Sequence, residues 1–99
     1  MTINKTNSGT TLTIALEGRL DTSTAPELEA EVKASVDGVT ALIFDISGLE
    51  YISSAGLRVL LSTQKIMNKQ GSMKVRGANE TVMEIFDVTG FVDILDIEQ

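Results

Sequence analysis

The hydrophobic and polar positions alternate between two periods along the chain. In "TTLTIAL" (residues 10–16), Leu12, Ile14 and Leu16 interleave with Thr11, Thr13 and Ala15, the two-residue period of a half-buried strand. The preceding "TINKTN" can pair back on it across Ser8-Gly9, which predicts an N-terminal hairpin whose second strand is broken by Gly18. The period then changes. Leu28, Val32 and Val36 recur at helical spacing behind Thr24, Pro26 and Glu27, which predicts a helix opened by a Thr24–Glu27 capping box and ended at Asp37-Gly38. "TALIFDI" (40–46) is a short apolar run closed by Ser47-Gly48, a buried central strand. A second helix is expected from Ser53 or Ser54 to about Lys69, before Gly71. "SMKVRGA" follows as a more polar strand, and Asn79 caps a third helix carrying Val82, Ile85 and Phe86 up to Gly90. "FVDILDI" reads as a last short strand.

The resulting order, β-β-α-β-α-β-α-β, predicts an α/β fold: a mixed, mostly parallel sheet covered by helices. At 99 residues the chain fits one domain, residues 1–99. Aromatic residues are 4% of the chain, so the core must be built from Val, Ile, Leu, Met and Ala; Met1, Met67, Met73 and Met83 read as packing residues.

Charge and chemistry narrow the function. The formal net charge is −6, from 8 basic and 14 acidic residues, without the clustered Lys and Arg that phosphate backbones require. Nucleic acid is therefore not an expected partner, and no run approaches the roughly 18 apolar residues of a membrane span. Neither a signal peptide nor cysteine occurs, so cytoplasmic residence is expected. Neither a metal site nor a phosphate-cradling loop can be read, and no cofactor is expected.

The stretch "YISSAGLRVLL" (51–61) places two serines directly before a leucine-rich helix. Serine is a preferred N-cap, which accounts for Ser53 or Ser54 without further function. A nucleophilic serine needs a general base; the chain has no histidine, and Lys65 lies about three turns down the helix from Ser54. An enzyme is not expected. The third reading is a modified serine: a phosphate on Ser54 would meet free helix N–H groups and add about −1.5 to −2 charges at one surface point.

"DISGLEYISSAGLRVLL" (45–61) resembles the signature of STAS domains, and of bacterial anti-sigma factor antagonists in particular. Asp45-Ile46-Ser47 matches the end of the family's central strand, and residues 51–57 match its helix start, which places the family's phosphorylated serine on Ser54, with Ser53 the second candidate. "LEGRLDTSTAPEL" resembles the segment before the first helix and puts the family's site-flanking aspartate on Asp21; "IFDVTGFVDIL" resembles its C-terminal motif. The resemblance implies a partner-binding surface on Asp21, Thr22, Ser53, Ala55, Gly56, Leu57 and Arg58. It also implies that the unphosphorylated chain, a monomer by itself, binds a serine-kinase anti-sigma factor that supplies ATP, and that a PP2C-type phosphatase reverses the modification. Two positions depart from the pattern: Ser53 stands where many members carry Asp, and Ala55 where they carry Ser or Thr. The Ser-Ala-Gly-Leu variant also resembles STAS subunits of transport complexes that are not phosphorylated.

Several residues keep two readings. Asp21 either starts the turn into the first helix or flanks a site, and Asp45 has the same ambiguity at a strand end. Gly56 costs helix stability, which implies close approach of a neighbouring loop or of a partner. Leu57 and Leu61 share a helix face as core or as contact surface, with Leu61 assigned to the core; Arg58 and Lys65 belong to the outer face.

Overall fold

A computed structural model describes residues 1–98. Its elements are β1 (Thr2–Ser8), β2 (Thr11–Leu20), α1 (Ala25–Ser35), β3 (Ala41–Ile52), α2 (Ser54–Gln70), β4 (Ser72–Arg76), α3 (Glu80–Thr89) and β5 (Ile97–Glu98), with a 3-10 turn at Phe91–Asp93. The strands form one sheet in the order β1-β2-β3-β4-β5, with β1 antiparallel to β2 and the other pairs parallel.

Three successive crossovers add strands in one direction across this sheet. Since such connections share one hand, all three helices fall on the same face. Burial follows: Leu12, Ile14, Leu16, Leu42, Phe44, Ile46, Met73 and Val75 are buried, whereas the alternate residues Thr13, Ile43 and Lys74 are not. The fold is thus two layers, and β3, although central, is covered on one side only. Val82 and Phe86 bring α3 onto the same core. The three helices end where their sequences predict, with Asn79 Oδ1 accepting from the Val82 amide at the start of α3 and Gly90 in left-handed conformation at its end.

Two strands run further than their turn residues suggest. Gly18 does not end β2; it adopts φ +101° and the strand continues to Leu20. Nor does Ser47-Gly48 end β3, which continues to Ile52. Pairing with β2 passes from Ala15–Asp45 to Glu17–Gly48, and from Gly18–Leu49 to Arg19–Tyr51, so β3 carries an extra residue at each step. Each bulge shifts the side-chain phase by one position. Ile46, Leu49 and Ile52 therefore all point inward despite their three-residue spacing. At the C-terminus most of the expected strand over 91–97 is replaced by the 3-10 turn, and among the described residues Ile97–Glu98 pair with β4.

The capping box of α1 is not formed. Thr24 is the N-cap residue, but its hydroxyl accepts from the Asp21 amide at 2.9 Å and donates to the Arg19 carbonyl at 2.9 Å. The hydroxyl ties the end of β2 to the helix start in place of capping it.

Candidate functional site

The site begins with the parallel pairing of β2 and β3. Leu20 and Ile52 are register partners at the ends of the two strands, so the residues that follow them, Asp21 and Ser53, leave the sheet side by side. The Ser53 amide donates to the Leu20 carbonyl at 2.9 Å, fixing the start of α2 against the end of β2. The two motifs, 32 residues apart in sequence (53 − 21), meet through strand pairing alone.

Ser53 is the helix cap. Its backbone is extended, its hydroxyl accepts from the Gly56 amide at 3.4 Å, and its carbonyl accepts from the Leu57 amide at 2.9 Å. Ser54 is the first helical residue; it is exposed, and its hydroxyl makes no hydrogen bond among the described residues. The two serines thus divide the readings between them: capping falls to Ser53, leaving the Ser54 oxygen free at the positive end of the 17-residue α2.

Two residues assigned to the partner surface lie elsewhere. Gly56 is buried, and a Cβ there would lie 2.6 Å from Leu20 Cγ and 2.9 Å from Ile52 Cγ1. The close approach that glycine permits is made by β2 and β3 and not by an outside chain. Leu57 is only 5% exposed and belongs to the core. Leu61, expected in the core, is half-buried, so of the two leucines it is Leu57 that is the core residue. Arg58 is exposed, as expected of the outer face.

Asp21 organises the opposite side. Its Oδ1 accepts from the Ser23 hydroxyl at 2.7 Å, the Ser23 amide at 3.0 Å and the Thr24 amide at 3.2 Å. These donors, the Ser23 hydroxyl foremost, hold its carboxyl below the usual aspartate range. Asp21 therefore builds the turn into α1, and that turn lies beside Ser53. Thr22, on the same turn, lines an open groove between α1 and α2 together with Pro26, Lys33, Ala55, Arg58 and Val59. Lys33 and Val59 were not singled out in the sequence, and Pro26 entered only as part of the helix opening.

Asp45 repeats the local chemistry of Asp21 in a different place. Its Oδ1 accepts from the Ser47 hydroxyl at 2.7 Å and the Ser47 amide at 3.1 Å, and Arg76 lies 3.6 Å from Oδ2. The Ser47 hydroxyl, the Ser47 amide and the Arg76 charge lower its pKa. Since β3 continues to Ile52, Asp45 is not at a strand end; it stands on the order of 20 Å of strand away from α2's start. Its role is in the bulge. At the same end of the strands as the site, the Arg19 guanidinium stacks over the Tyr51 ring, 4.7 Å from its centroid.

Comparison with known proteins adds to this geometry. The family model described as STAS domain matches residues 2–99. BtrV of Bordetella bronchiseptica, provisionally named an anti-sigma factor antagonist, is 38% identical over 88 residues, covering 87% of this chain and 76% of that one. An anti-sigma-B factor antagonist of Bacillus subtilis is 32% identical over 85 residues, covering 85% of this chain and 78% of the relative. Among solved structures, an anti-sigma factor antagonist from Mycobacterium paratuberculosis superposes with a TM-score of 0.89 at 26% identity, covering 97% of this chain and 83% of the other.

Proposed function

The chain belongs to the STAS domain family, and from that premise we propose that it is an anti-sigma factor antagonist working by partner switching. In its unphosphorylated form it binds a serine-kinase anti-sigma factor through the Asp21–Thr22 turn, Ser53, Ala55 and Arg58. The kinase holds ATP and transfers its γ-phosphoryl group to the Ser54 oxygen; the hydroxyl proton leaves, ADP departs, and the partner dissociates. A PP2C-type phosphatase resets the switch in the cytoplasm. The protein acts by binding, without catalysis of its own.

The observation that carries this reading is the Ser54 hydroxyl: exposed, without a hydrogen-bond partner among the described residues, at the first position of α2 and beside the Asp21 turn. A kinase can reach it without unfolding the helix, and helix N–H groups favour the added anion. Loss of tenfold affinity requires about 1.4 kcal/mol, which the desolvation and repulsion of one phosphate at an interface readily exceed. The negative net charge suits a protein partner better than a polyanion.

The test is a pull-down with the anti-sigma factor and ATP. Wild type is expected to gain one phosphate and be released, Ser54→Ala to remain bound without a mass shift, and Ser54→Asp to bind weakly. Equal capture of all three chains with no phosphate on Ser54 would make this a constitutive STAS subunit.

A further inference from the structure

We propose that Arg58 is the internal counter-ion of phosphorylated Ser54, so that modification closes a bridge along α2 and withdraws Arg58 from the α1–α2 groove. The inference rests on the reading of Ser54 as the modified residue and extends it to how the charge is received.

Three observations converge. First, Ser54 and Arg58 are four residues apart on the first two turns of α2, and both are exposed. Helical side chains lean toward the N-terminus, so a guanidinium at 58 reaches back over the turn that begins at 54. An anion four residues before a cation is also the favourable order for such a pair. Second, Arg58 forms no salt bridge, hydrogen bond or ring contact among the described residues, whereas most other cations are engaged. Arg19 stacks on Tyr51, Lys33 meets Glu29 at 3.0 Å, Lys5 meets Glu31 at 2.6 Å, Lys74 meets Glu98 at 3.6 Å, and Arg76 meets Asp45 at 3.6 Å. Lys65 and Lys69 lie on later turns of α2, out of reach of its first residue. Third, Arg58 lines the groove that also contains Thr22 and Ala55, so it is presented where a partner would sit.

A neutral serine gives Arg58 no anion to meet. A phosphate gives it a dianion with three acceptor oxygens, which suits the forked donors of arginine better than the single charge of lysine. One modification then changes the surface twice, by adding negative charge at 54 and by removing positive charge at the groove. Aspartate at 54, shorter and singly charged, is an incomplete copy of that state.

The test uses the whole chain with phosphoserine built in at position 54 during translation, so no kinase is needed. The second ionisation of the phosphate, about pH 6 in a free phosphoserine, is followed by phosphorus NMR in chains carrying Arg58, Arg58→Lys and Arg58→Gln. The helix terminus is common to all three, so differences among them isolate residue 58. The expected result is a pKa about half a unit or more lower with Arg58 than with Gln, Lys falling between, and a gap that narrows in about 1 M salt. Coincident curves for Arg58 and Arg58→Gln would overturn the proposal. It fails separately from the function itself: a missing phosphate in the ATP pull-down ends the switch, whereas coincident titrations end only the role of Arg58.

Discussion

Leu20 occupies the space in which residue 56 would carry a side chain: a Cβ on Gly56 would lie 2.6 Å from Leu20 Cγ and 2.9 Å from Ile52 Cγ1. Both neighbours are core side chains with almost no exposure. In an open helix, alanine for glycine stabilises by up to about 1 kcal/mol; here the sign reverses. Gly56→Ala is expected to lose about 1–3 kcal/mol in urea unfolding. Combined with Leu20→Ala, the total loss should fall short of the sum of the single changes by on the order of 1 kcal/mol, because the second change vacates the contested space. A stabilised Gly56→Ala would mean that the space is free and would return the glycine to the partner surface.

The two serines should separate in stability. Ser53→Ala removes the hydroxyl that accepts from the Gly56 amide, and is expected to cost about 0.5–1 kcal/mol, at the low end for a cap because that bond is 3.4 Å long. Ser54→Ala removes an exposed hydroxyl without a partner among the described residues and should stay within about 0.5 kcal/mol of wild type. Thermal unfolding of the two variants measures this directly. A larger loss at Ser54 than at Ser53 would identify Ser54 as a structural residue and undercut its place in a switch.

The same local chemistry explains how much of this was legible beforehand. The starts of α2 and α3 follow from cap residues whose partners lie three positions away, so the sequence carries the whole interaction. Thr24 shows the limit of that reasoning: its residue type and spacing suit a capping box, but the Asp21 amide and the Arg19 carbonyl engage the hydroxyl first. Ser47-Gly48 looks like a strand end because the turn preference is local, while the pairing that carries β3 to Ile52 comes from β2. The bulges also break the two-residue period, so Leu49 and Ile52 give no strand signal of their own. The neighbourhood of Asp21 and Ser53 depends on that same long-range register. In the sequence only the family resemblance pointed to it.

Acid should reveal the bulge carboxylate. The Asp45 pKa is lowered from 3.8, by the Ser47 hydroxyl first, then the Ser47 amide and the Arg76 charge. A carboxyl with a depressed folded pKa stabilises the protein above its unfolded value and loses that contribution as pH falls through the folded value. Ser47→Ala removes the largest of these donors, so the variant should be less stable than wild type near neutral pH. The gap should narrow from just below 3.8 downward, as Asp45 becomes protonated in both chains. Urea midpoints at about pH 6 and about pH 2.5 measure the two ends. A gap independent of pH would show that the Ser47 hydroxyl contributes by a route other than the Asp45 carboxylate.

Gln64 presents an opposite case, a buried polar group whose replacement should help. It lies in the middle of α2 at 8% exposure; its Nε2 donates to Asn68 Oδ1 at 2.8 Å, but its Oε1 is buried with no hydrogen-bond partner among the described residues. An unpaired buried carbonyl loses its hydration on folding and gains nothing in return. A methionine of similar length would keep the packing, remove that penalty and preserve helix propensity, at the loss of one hydrogen bond to a neighbour on the exposed side. Gln64→Met is therefore expected to be neutral or to stabilise by up to about 1 kcal/mol, whereas Gln64→Ala, which leaves a cavity as well, should destabilise. Since Gln64 is not among the residues at the start of α2, Gln64→Met should behave as wild type in the pull-down that tests the proposed switch. If Gln64→Met destabilises as much as Gln64→Ala, the Oε1 atom has a hydrogen-bond partner in solution, and the stability of α2 depends on it.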